Sequence, residues 1–114
     1  MKLSEYPAAI AAAEMESVEA RGRVRGCQAR LSAALAKIEE MVSFDKTLSN
    51  EEKRRSMRLV LAQEEAHIEV MEALGRAQDA AAIAQIVVDR LIREFEVAKL
   101  LGIQGAPGQK AKAG

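Results

Sequence analysis

Ser43-Phe44-Asp45-Lys46-Thr47-Leu48-Ser49-Asn50 is the one clear interruption in a chain otherwise written for helix. Proline stands only at positions 7 and 107, so nothing between them forces a break in the way a proline ring does. Within the interruption Ser49 is placed to cap a following helix, and Glu52 three residues later to close a capping box. Pro7 suits a first helical turn. These signals predict a first helix over about 7–42, after a lead of residues 1–6, and a second starting near residue 50.

Outward from the interruption, both flanks carry heptads. Upstream, Ile10, Ser17, Val24, Leu31 and Ile38 occupy a positions, with Ala13, Ala20, Cys27, Ala34 and Met41 at d. Only Ser17 breaks the apolar seam, and small residues at d let a neighbouring helix come close. Downstream, Leu74, Ala81, Val88 and Phe95 alternate with Val70, Ala77, Ala84, Leu91 and Ala98, all apolar. Run backwards, that register meets His67 and then Gln63. The phase break divides the second half into a short helix, about 50–62, and a long one, about 64–101, with Gly75 as the rival break point.

Length arithmetic supports the division. At 1.5 Å per residue the first and last helices would span about 54 and about 57 Å, whereas an unbroken helix from residue 50 to 101 would overhang by about 20 Å. The fold class expected is all-α: an antiparallel hairpin of two long helices with a short elbow helix, followed by a flexible Gly/Lys tail over 102–114.

Composition narrows the function classes. The chain has 114 residues, 17 basic and 17 acidic, with 49% apolar residues but only 3% aromatic. Alanine, leucine and glutamate at this density favour helix over disorder, and β-branched and aromatic residues are too few for a sandwich or barrel. One cysteine, Cys27, cannot make an internal disulfide and fits a cytoplasmic setting. No secretory pattern opens the sequence, and the longest uncharged helical stretch, residues 80–88, is too short to cross a bilayer. No phosphate-cradling loop, Ser/His/Asp set or cysteine-based zinc spacing is present, so neither an enzyme nor a cofactor is implied.

A two-helix hairpin leaves apolar residues unused. Ile68, Ile83, Ile86, Val87 and Val97 lie outside or beside the seam, and leaving each large aliphatic group in water costs roughly 1.5–3 kcal/mol against burying it. They are the expected interface of a homo-oligomer, most simply a dimer forming a helical bundle, which would serve as an interaction or adaptor module for a protein partner.

Two further sites compete with that reading. Charge is blocked: residues 21–37 carry +5 and 53–58 carry +4. Arg21, Arg23, Arg25, Arg30, Lys53, Arg54, Arg55 and Arg58 would form a phosphate-contacting surface for nucleic acid, or pair with acids on a partner helix. Glu64 and His67 form a Glu-x-x-His step with both side chains on one helical face, and Glu39 or Glu40 would lie opposite in the hairpin. That arrangement resembles short ferritin-like proteins that build a di-iron centre across a dimer, and implies Glu40, Glu64 and His67 as metal ligands. First-turn acids favoured by the helix dipole explain the same glutamates without a metal.

The stretch Leu48-Ser49-Asn50-Glu51-Glu52-Lys53-Arg54-Arg55, then a short helix and Glu64-Glu65, then a long helix closing on Arg93-Glu94-Phe95-Glu96-Val97-Ala98-Lys99-Leu100, is similar to small helical accessory proteins of prophages and mobile elements. The resemblance covers the second half of the chain. It implies a non-catalytic role near phage-type DNA replication or recombination. That family often carries Asp-Pro at the break, where this chain has Gln63-Glu64.

Overall fold

The computed structural model describes the backbone through Ala113 and side chains through Gly102. A 3-10 turn, Leu3–Glu5, leads into α1, Tyr6–Phe44; α2 follows over Glu51–Ala62 and α3 over Glu65–Ala113. The fold is an all-α helical hairpin with a short helix between two long ones, and no strand among the described residues. The tail expected over 102–114 lies, past Gly102, outside the residues whose side chains are described.

The chain divides into two compact units, each described by itself. A terminal unit takes Met1–Glu19 with α3 from Ala81 onward, and an elbow unit takes Ala20–Ala80. In the terminal unit Tyr6 stacks on Phe95, ring centroids 5.4 Å apart, and Ser17 Oγ donates to Gln85 Oε1 at 3.2 Å. Numbers rise along α1 as they fall along α3, so the helices run antiparallel. In the elbow unit the Cys27 thiol faces the Ala73 carbonyl, Sγ to O 3.8 Å, with the same antiparallel sense.

The heptads account for which faces are covered. All nine seam positions of α3 from Val70 to Ala98 are buried or half-buried, as are the α1 positions Ile10 to Ile38 and Ala13 to Ala34. Ser17 is 2% exposed and keeps its hydroxyl satisfied through Gln85. Two details depart from the register. Tyr6, placed in the lead by the sequence, is buried and begins α1. Met41, expected at d, is exposed, and Val42 is buried at 1% in its place. A straight α-helix drifts by about 20° per heptad relative to a 3.5-residue repeat, so after several heptads the inward face has moved on by one residue.

Local chemistry sets the breaks. After α1, Asp45 accepts from both the N–H and the hydroxyl of Thr47, at 2.9 and 2.6 Å, which ties a tight turn. The cap of α2 is Asn50, not Ser49: its backbone is extended (φ −142°, ψ 168°) and its side chain accepts from the Lys53 N–H at 2.9 Å. With the helix starting one residue later than expected, Glu52 stands one position too early to close a capping box, and Ser49 Oγ instead accepts from Lys53 Nζ at 3.3 Å. α2 ends at Gln63 (φ −91°, ψ −2°), and the Glu64 carbonyl then accepts from the N–H groups of His67 and Ile68, launching α3. Gly75 lies inside α3.

Candidate functional site: a charged elbow, an arginine groove and an apolar flank

Within the elbow unit the basic residues separate into two populations. Arg58, on α2, reaches Glu39 of α1 at 2.6 Å and Glu51 of its own helix at 2.8 Å. Arg54 contacts Glu51 at 3.3 Å and donates to the Leu48 carbonyl at 3.2 Å. Arg58 therefore fastens the short helix to α1. Its hydrogen bonds to Glu51 and Glu39 raise its pKa further, while the hydrogen bonds donated by Arg58 and then Arg54 hold the Glu51 carboxyl below the ordinary glutamate range. The hydroxyl of Thr47, with its N–H, similarly lowers Asp45. Arg54 and Arg58 are thus each paired with a carboxylate of their own chain.

The other population surrounds a shallow groove of about 470 Å³ between α1 and α3. Arg23 and Arg30 from α1 and Arg76 from α3 stand over a floor of Gly26, Cys27, Ala73, Ala77 and Ala80. No carboxylate lines it. Arg21 and Arg25 belong to the same sequence block but are not part of this groove; the Arg25 guanidinium lies 3.7 Å from where a Cβ on Gly22 would stand. Arg76 was missed in the sequence because it lies 46 residues from Arg30. The available signal was its c position, next to the g flank that carries Arg23 and Arg30.

His67 is buried, 6% exposed, in a hollow of about 330 Å³ lined by Ile38, Met41, Leu61, Glu64, Val70 and the Lys37 side chain. Its Nδ1 has no hydrogen-bond partner. Of the three residues of the ferritin-like expectation, Glu64 and His67 come together here and Glu40 does not join them. Glu40 does not line this hollow, Glu39 is paired with Arg58, and Lys37 is the other charged residue beside Glu64 in the lining. Among the described residues no group of three or more His, Cys, Asp and Glu could hold a metal ion. His67 sits inside because it continues the apolar face of α3 into its first turn, close against Leu61 of α2.

On the terminal unit the outer face of α3 carries Ile83, Ile86 and Val97 at 61, 62 and 55% exposure, joined by Leu100 and Leu101. Ile68 is also exposed, on the elbow unit, and Val87 is half-buried beside the seam. Arg90 and Arg93 punctuate the stripe and, with Tyr6, Glu94, Val97 and Leu101, edge a shallow hollow. Beneath it, the Lys99 ammonium lies 4.5 Å from the Phe95 ring centroid and 2.8 Å from Glu96.

No helix among the described residues is long and apolar enough to cross a membrane. No protein-family model, curated protein or solved structure matches the chain.

Proposed function

We propose that the protein is a non-enzymatic, self-associating helical interaction module, in which a second copy covers the outer aliphatic face of α3. The observation that carries this reading is an imbalance of burial. Six apolar residues are buried, Tyr6, Ala20, Val42, Leu61, Ala84 and Val88, while seventeen large apolar residues stand exposed among the described ones. A hairpin is a single layer of helix and has no second layer to close over its flank.

The stripe has the right spacing for one partner. Residues 83, 86, 97 and 100 fall within about 100° of one another at 3.6 residues per turn. On α1 of the same unit, Met15 and Val18 are exposed and flank Ser17 as Ile83 and Ile86 flank its partner Gln85. With Val97, Leu100 and Leu101, all more than half exposed, these side chains form the apolar surface a second copy would cover. Arginine within an otherwise aliphatic patch is a frequent interface composition, and a net charge of zero sets no long-range repulsion between copies. The resemblance to prophage accessory proteins supplies a setting for such a module, phage-type DNA replication or recombination.

Sedimentation velocity at tens of micromolar tests the reading. The wild type is expected to run as a dimer, and Ile86→Glu as a monomer that keeps most of its helicity by circular dichroism. A monomeric wild type at that concentration sinks the proposal.

A further inference from the structure

We infer that the groove framed by Arg23, Arg30 and Arg76 is a binding site for linked phosphate oxyanions, the chemistry shared by a nucleic-acid strand and a free polyphosphate. The inference does not depend on self-association, because the groove is complete within one elbow unit. It also differs from a general basic surface. Arg76 comes from the opposite helix, whereas Arg54 and Arg58, nearer in sequence, are spent on Glu51 and Glu39.

Three observations converge. First, Arg30 and Arg76 carry no ion pair or hydrogen bond among the described residues, although the chain has as many acids as bases and uses them beside Arg58. Arg30 and Arg76 therefore repel each other across the groove, and a bound anion relieves that repulsion. Second, the floor is glycine, alanine and cysteine, so no bulky side chain stands between the guanidinium groups and an occupant. Guanidinium is the side chain whose donor fork matches phosphate oxygens. Third, the spacing suits a linked ligand. Arg23 and Arg30 are one heptad apart, about 10 Å along the helix. Cys27 faces Ala73, which brings Arg76 to the level of Val24, inside that span. A strand that carries one charge per about 3.4 Å sets a few successive phosphates across the same distance.

The test uses the full chain and two probes, a fluorescent oligothymidylate of about 12 nucleotides followed by anisotropy, and tripolyphosphate as competitor. Binding at low salt is expected, weakening with a log–log salt slope of about −1.4 for the two contacts of Arg30 and Arg76 to a single strand. Arg30→Ala with Arg76→Ala is expected to weaken it by about tenfold or more. A control with the same charge loss outside the groove, Arg21→Ala with Arg55→Ala, should change it little, with helicity of both variants checked by circular dichroism. Alkylation of Cys27 on the groove floor should slow when the probe is bound. If tripolyphosphate displaces the strand at comparable phosphate concentration, the site takes free polyphosphate; if it does not, the strand is the ligand. The inference is overturned by absence of binding at low salt, by equal loss in the control variant, by binding that leaves Cys27 alkylation unchanged, or by polyglutamate displacing the probe as well as phosphate does.

Discussion

The two units of this hairpin are built from the same helices and stabilised in different ways. The terminal unit rests mainly on apolar contact, the Tyr6–Phe95 stack with buried Ala84 and Val88, and Ser17 donates to Gln85 between its helices. The elbow unit adds directional polar contacts, the Asp45–Thr47 turn, the Asn50 cap and the Arg58 bridge to Glu39 and Glu51. A straight run of two helices needs only periodicity to be specified. A change of chain direction needs particular hydrogen bonds at particular residues, because backbone groups at helix ends have no helical partner.

Four measurements press on this contrast. Tyr6→Ala removes a buried ring and the stack on Phe95, and is expected to cost about 3 kcal/mol, with hydrogen-exchange protection falling first between residues 6 and 19 and between 81 and 98. An equal loss of protection in α2 would erase the distinction between the units. Asn50→Ala should cost about 1 kcal/mol in chemical denaturation and loosen α2, whereas Ser49→Ala should be close to neutral. The reverse ranking would return the cap to Ser49. Gly75→Ala is expected to stabilise by about 0.5–1 kcal/mol, since a Cβ there meets nothing within 4 Å and alanine suits a helix interior better.

The smallest effect is a pH dependence. Asp45 and Glu51 have carboxyls held below their ordinary values in the folded chain. Their contribution to stability is therefore present at neutral pH, and is lost as pH falls below the ordinary carboxylate range through the lowered values. Both groups are exposed, so the thermal midpoint should decline only slightly in that window. Arg58→Met should flatten the Glu51 part of the decline and leave the Asp45 part in place.

Much of this architecture was legible because a repeat repeats. The nine apolar positions from Val70 to Ala98 define one face without reference to anything distant, and the phase break at Gln63 marks where α2 ends. Tyr6 was legible too, since it stands one heptad before Ala13 at d. Ser49 and Asn50 are both competent caps, and their order is decided by where the Asp45–Thr47 turn delivers the chain, which neighbouring sequence does not encode. The same limit applies to charge. A run of Lys53, Arg54, Arg55 and Arg58 reads as one patch, yet pairing with Glu39 across the fold splits it, and Arg76 joins Arg30 only after the chain has turned back.

Ala20 is 1% exposed, and Ala13, Ala34, Ala77 and Ala84 alternate on the inward faces with larger apolar residues. Helices held together through methyl groups leave no slack for a longer side chain, so Ala20→Leu would act as a wedge and prise the elbow unit apart. Variation in such a protein is channelled outward: new specificities can accumulate on its flanks while the alanine positions of the inner line stay small.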